Sequence, residues 1–319
     1  MPDTLPHYRL NVIYIMLRLV IFDAEWTQER IKENEFINQV RERVARWRQG
    51  GRIGVTRTTS SLLEHWGHPE RSRRLFYCQI EALETAIYIT EVAHKYNDAW
   101  VENDLRRANE GANPGLYRIA FKMATGSGKT VVMGMLIAWH TLNKIANPQD
   151  ARFSDSFLIV TPGITIRDRL RVLLPNDPQN YYKDLEIVPP GLREELGRAK
   201  VIISNFHAFK PRAHTPAGKI TKQILRQGES DAFTETPDQM VRRVCREFGA
   251  KKNIVVLNDE AHHCYRRKPD REDEPLSGEE RREAEKREEE ARIWISGIEA
   301  VQSKLGIRAT YDLSATPFF

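Results

Sequence analysis

Five short apolar or β-branched runs, residues 117–123, 157–161, 201–204, 254–257 and 310–313, constrain this chain more than any other feature. Each is strand-sized and bounded by polar turns. Stretches with helical spacing separate most of them, at 131–142, 166–174, 237–248 and 279–305. A strand that is apolar on both faces has to be covered on both. Strands that alternate with helices pair in parallel, because each crossover returns the chain to the same starting edge. The pattern predicts a doubly wound α/β domain on a mostly parallel sheet. No fixed-period repeat is visible, so solenoids and propellers drop out.

Composition closes off other classes. Hydrophobic residues are 40% and charged residues 29% of the 319, which is globular composition and too apolar for a disordered chain. The longest apolar run, 12–22, is interrupted by Arg18, whereas a membrane span needs about 20 mostly apolar residues. Asp23-Ala24-Glu25-Trp26 follows it where a secretory signal would carry a small-residue cleavage site. The run reads as core, with no membrane span. Cys78, Cys245 and Cys264 are too few and too scattered for a disulfide framework or a paired-thiol zinc site, which fits a reducing cytoplasm. His65, His68, His262, His263 and Cys264 are likewise too dispersed to read as zinc ligands, and Cys264 has no base partner that would make it a nucleophile.

The net charge of +5 permits a polyanionic partner. Residues 41–75 carry nine Arg against three acidic residues, with Trp47 and Trp66 interleaved. Such a segment can track a phosphate backbone or form a solvated arginine-rich face. In 266–292, 20 of 27 residues are charged, nine positive and eleven negative. Glu283 with Arg287 is a favourable i,i+4 pair and Glu285 with Glu289 an unfavourable one. That segment is predicted to be a solvent-exposed helical insertion.

The chemistry sits at the ends of the runs. After the first comes Met123-Ala124-Thr125-Gly126-Ser127-Gly128-Lys129-Thr130, leading into an apolar helix. Strand, glycine-rich turn and helix are the context of a P-loop, in which backbone amides and the helix N-terminus cradle phosphate oxygens. Lys129 would reach the β- and γ-phosphates and the Thr130 hydroxyl would hold magnesium. Met123 stands where the strict pattern has its first glycine. After the fourth run comes Asn258-Asp259-Glu260-Ala261-His262, at a strand end that faces the phosphate crevice of an open α/β sheet. Asp259 would hold the magnesium and Glu260 would deprotonate the attacking water. Ser314-Ala315-Thr316 follows the fifth run, ahead of Pro317.

In that order, Gly-Ser-Gly-Lys-Thr, Asp-Glu-Ala-His and Ser-Ala-Thr resemble motifs I, II and III of superfamily-two helicases and translocases. The flanks, at 122–130, 159–170, 203–209 and 257–265, are similar to the Res subunit of type III restriction enzymes, with a resemblance that covers 36–319. It implies a RecA-like P-loop NTPase lobe over 71–319, carrying a charged helical insertion at about 266–305 and preceded by a basic, mostly helical extension over 1–70. It also implies ATP and Mg2+ as cofactors and DNA as partner. Lys129, Asp259, Glu260 and His262 would be catalytic, and Gln79, Thr125, Gly126, Ser127, Gly128 and Thr130 would bind nucleotide, Gln79 as an adenine-reading glutamine. Thr161-Pro162-Gly163 resembles motif Ia, and Ser204-Asn205-Phe206-His207 a later strand-contacting motif, so Thr161, Pro162, Gly163, Ser204 and Asn205 would touch DNA phosphates. His262, Ser314 and Thr316 would couple nucleotide state to DNA grip.

The family's motors close their site with a second RecA-like lobe that supplies arginine fingers, and carry a nuclease domain beyond it. Neither can be placed in this sequence. The expectation is therefore the first lobe of a DNA translocase of a type III restriction system. It would work with a C-terminal motor and nuclease segment and a modification methyltransferase subunit. The alternative is a truncated, non-catalytic remnant that binds nucleotide and DNA.

Overall fold

All five apolar runs are strands: β1 Arg118–Lys122, β2 Ser156–Thr161, β3 Lys200–Asn205, β4 Ile254–Asp259 and β5 Ile307–Ser314. They form one sheet in the order β1-β5-β4-β2-β3, every pairing parallel. The computed structural model describes residues 34–212, 234–265 and 278–315. The apolar run at 12–22 and Thr316 lie outside the described residues. The chain divides into two compact units, Met1–Ile53 and Gly54–Phe319.

Among the described residues, the α-helices longer than one turn are α1 Glu35–Gln49, α2 Arg57–Gly67, α3 Tyr77–Ile87, α4 Ala99–Ala112, α5 Lys129–Ala146, α6 Ile164–Arg169, α7 Pro237–Val244 and α8 Gly278–Leu305. In the first unit, α1 buries Val40, Val44 and Trp47, spaced at four and three residues so that they share one face. The Trp47 indole donates to the Ile53 carbonyl at 2.8 Å.

In the second unit the two-residue period of the strands sorts side chains to the two faces of the sheet. On one face Leu158, Val160, Ile254 and Val256 join a core cluster with Trp294, Ile295, Ile298 and Val301 of α8 and with Met240 and Val241 of α7. On the other, Phe157 and Tyr311 meet His140 of α5, with ring centroids 6.2 and 5.8 Å apart. Every residue of α5 from Val132 to Asn143 is buried, because α5 is also covered on its outer side. There the Trp139 indole donates to the Thr59 hydroxyl of α2 at 3.1 Å and to Glu91 at 2.8 Å. Glu91 is fully buried and also accepts from the Thr56 amide and the Thr59 hydroxyl, both at 2.7 Å, so its burial is compensated.

One sequence expectation changes. Trp47 and Trp66 are 7% and 3% exposed, and the Trp66 indole donates to the Ile187 carbonyl at 2.8 Å. Both are core residues, unavailable for stacking on bases. Residues 266–277 of the charged stretch lie outside the described residues, and the remainder, 278–292, is helical. It is the exposed first half of α8, whose second half buries Trp294, Ile295, Ile298 and Val301 as the crossover from β4 to β5. Net composition hid this, because the apolar positions sit at helical spacing only after residue 290.

His140 is 1% exposed, with Nε2 3.1 Å from the Tyr311 hydroxyl, and burial holds its pKa down at about 3. In the unfolded chain it titrates near 6.5, so between those values the unfolded state binds more protons. The resulting stability is complete above pH 6.5 and lost as pH falls toward 3. Urea unfolding should show stability falling by up to about 1.4 kcal/mol per pH unit from this group, and His140→Leu should flatten that slope.

Candidate active site

Parallel pairing brings the carboxyl end of every strand to one edge, where the loops that follow β1, β2, β3, β4 and β5 gather. The turn after β1 is shaped by two glycines in left-handed conformations, Gly126 at φ 79° and Gly128 at φ 83°. Other residues adopt that region at a cost. Ala124, Thr125 and Gly126 are exposed, so their backbone faces solvent. Gly128 is the N-cap of α5 with no side chain bonded across the helix end, leaving the helix's positive pole open toward the turn. The Ser127 hydroxyl donates to the Ala124 carbonyl at 2.6 Å and tightens the turn.

Lys129, the first residue of α5, points across the edge to the loop after β4. Its ammonium lies 3.1 Å from Oε1 of Glu260, with the lysine side chain 11% and the glutamate 30% exposed. Glu260 has a left-handed backbone, φ 48° and ψ 48°, a strained choice for a residue with a Cβ. Its neighbour Asp259 ends β4 and is 8% exposed. Burial, and then the charge of Glu260, push the Asp259 carboxyl up to about 6, against the pull of Lys129. Two adjacent carboxylates with so little water are a donor set that a divalent cation would relieve, and the open turn beside them suits an anionic phosphate chain. Thr130, on the first turn of α5, is half-buried.

The remaining sequence candidates within the described residues occupy the same edge. His262 Nδ1 is 2.8 Å from the Ser314 hydroxyl at the end of β5 and 3.6 Å from Glu260. Its pKa is lowered by burial, then by His263. The Ser314 carbonyl accepts from the Met123 amide at 2.8 Å, so the ends of β1, β4 and β5 are tied together. The Thr161 hydroxyl donates to the Gly163 carbonyl at 2.9 Å, which shapes the turn through Pro162. Asn205 accepts from the Ala208 amide at 3.2 Å and caps the turn Phe206–Phe209, while the Ser204 hydroxyl donates to the Asn205 carbonyl. Gln79, at the start of α3, is 4% exposed. Its Oε1 accepts from the Phe76 amide at 2.9 Å and its Nε2 donates to the Ser127 carbonyl at 3.0 Å, so its amide braces the glycine turn from behind.

Sequence reading passed over two features. Phe76 and Tyr77, 58% and 63% exposed, stand at the start of α3 just ahead of Gln79; two adjacent aromatics at a helix start were the available signal. The other is a buried polar network around Asp312, signalled by one charged residue inside an apolar run.

A glycine-rich turn off the first strand, opening a helix and facing paired carboxylates off a nearby parallel strand, is the layout of a RecA-like P-loop lobe. The family model for the type III restriction enzyme, res subunit, matches residues 73–318, and the chain belongs to that family. Its membership makes this a helicase-like ATPase motor domain of the type III restriction class. No curated protein and no solved structure matches the chain. No described helix is long and apolar enough to cross a membrane.

A Cβ at residue 128 would collide with the Gln79 amide, and its φ of 83° disfavours any side chain. Gly128→Ala should cost roughly 1–3 kcal/mol of folding stability. Adding Gln79→Ala should recover only the part due to the collision, which a double-mutant cycle of thermal midpoints separates from the part due to φ.

Proposed function

We propose that this chain is the ATP-binding and ATP-hydrolysing N-terminal motor lobe of a DNA translocase in a type III restriction system. The observation that carries the reading is the placement of Lys129 against Glu260, with buried Asp259 beside them, across the ends of β1 and β4. Lys129 and the amides of Thr125 to Gly128 bind the phosphate chain, and Thr130 and Asp259 hold magnesium. The metal, when bound, neutralises charge on the β- and γ-phosphates. Glu260 takes the proton of the attacking water as its oxygen bonds to the γ-phosphorus and the bond to ADP breaks. A second lobe contributes arginine to the transition state. Thr161, Pro162, Gly163, Ser204 and Asn205 line the same edge and contact DNA phosphates, which positions the duplex without reading its sequence. His262, Ser314 and Thr316 pass the nucleotide state to that surface, and the 2.8 Å contact between His262 and Ser314 supports such a link.

Calorimetry with magnesium-ATP tests the binding half. Lys129→Ala should bind at least roughly 10-fold more weakly, the scale of a lost charge-assisted contact, while the exposed control Arg281→Ala matches the native chain. Equal affinities in all three proteins would refute the assignment.

Hydrolysis separates from binding at Glu260. With a competent second lobe supplied, Glu260→Gln should retain ATP yet release phosphate in the presence of DNA at least about 10²-fold more slowly, as befits a lost general base. An unchanged rate would remove Glu260 from that role.

A further inference from the structure

Behind the site, on the α8 side of the sheet, lies a charged cluster that the nucleotide chemistry does not use. Asp312 of β5 is wholly buried. Its Oδ2 accepts from Arg118 Nε and from the Tyr265 hydroxyl, both at 2.8 Å, and its Oδ1 accepts from the Asn258 amide at 2.7 Å. Arg118, 4% exposed, also donates to the Cys264 sulfur at 3.0 Å and lies 4.4 Å above the Tyr265 ring. Asn258 in turn accepts from the Trp294 indole at 3.0 Å.

The partners of this carboxylate fall at telling places. Asn258 is the residue before Asp259. Tyr265 follows the turn Ala261–Cys264 that carries His262. Ser314 is two residues beyond Asp312 on the same strand, so it shares the same face. A buried ion pair of this kind contributes little net stability, since desolvating both charges offsets their attraction and apolar replacements often do as well. What it does supply is a fixed geometry, because three donors, from β1, from β4 and from the residue after the Ala261–Cys264 turn, converge on one short, stiff side chain.

We propose that Asp312 is a positioning residue for the nucleotide site: through Asn258 and Tyr265 it clamps both ends of the loop presenting Asp259, Glu260 and His262, and through β5 it sets Ser314 against His262. The inference rests on the reading of that loop as the metal and water-activating element. Tyr265 is the end of the clamp that can be released most gently, since Tyr265→Phe keeps the ring under Arg118 and deletes a single donor.

Two measurements on the full chain test this. In the first, nitrogen and proton resonances of the His262 ring, assigned with His262→Gln, are compared between native protein, Tyr265→Phe and the distant control Tyr182→Phe. Tyr265→Phe should shift or broaden them without ligand, and the control should not. In the second, ATP affinity is measured with excess magnesium and with EDTA. Tyr265→Phe should lose roughly 5- to 10-fold of the magnesium-dependent gain, the scale of one bond to a charged group, and keep its EDTA affinity within about 2-fold. A purely structural role would move both affinities together or neither. His262 signals that stay put, or a preserved magnesium gain in a folded variant, would overturn the proposal. If His262 responds but the native chain binds no magnesium-ATP, the loop is clamped and the nucleotide reading is what fails. Should Tyr265→Phe not fold, Asn258→Ala, which removes the other neutral donor, is read in the same way. Failure of both to fold would also overturn the proposal, because Asp312 would then hold the lobe as a whole.

Discussion

Everything at the candidate site hangs from the register of β4 between β5 and β2. β4 is buried along its whole length, and its pairing with β5 aligns Asn258 with Asp312 and Asp259 with Leu313. Parallel strands paired in this way release all their following loops on one side. Lys129, Asp259, His262 and Ser314 therefore meet although up to 185 positions, 314 minus 129, separate them in the chain. A slip of one residue would turn every side chain of β4 to the opposite face. Apolar alternation against two helical layers thus protects the chemistry as well as the fold.

Electrostatics at that edge are deliberately unbalanced. Asp259 and Glu260 are consecutive carboxylates, one nearly buried, and a single lysine pairs with the outer one. Burial raises the cost of the Asp259 charge, which is why its carboxyl titrates at about 6. Such an arrangement stores electrostatic free energy that a bound cation can release, as functional sites often do. The neighbouring Arg118 and Asp312 pair is the contrasting case. It is fully enclosed but matched in charge: Asp312 accepts from Arg118, Asn258 and Tyr265, while the Nη1 of Arg118 is left without a hydrogen-bond partner among the described residues.

Gln79 shows how one buried side chain can brace a turn. Its amide is bonded at both ends within the lobe, to Phe76 and to Ser127, and it occupies the space that a Cβ at 128 would need. The two aromatics at the start of the same helix are exposed, whereas the glutamine is 4% exposed. The sequence motif pointed to a residue that packs against the glycine turn. Which atoms remain available there is a matter of packing.

By itself the sequence determined the strands, the helices between them and the glycine turn, because these follow from local periodicity and from backbone freedom at Gly126 and Gly128. It also picked out Lys129, Asp259, Glu260 and His262 by residue type and by position at strand ends. The strand order, with β5 inserted between β1 and β4, was not legible, since it depends on which apolar faces fit together at long range. Nor was the fate of α8, a highly charged stretch by composition whose second half became a core crossover once a sheet face was there to cover. The burial of Trp47 and Trp66 has the same origin, as an aromatic among arginines packs inward wherever a carbonyl is placed to accept its indole proton. The meeting of Arg118 with Asp312, 194 residues apart, was decided by tertiary structure alone. Each is an isolated charge in an apolar run, and only strand pairing in the sheet could bring their opposite charges together inside it.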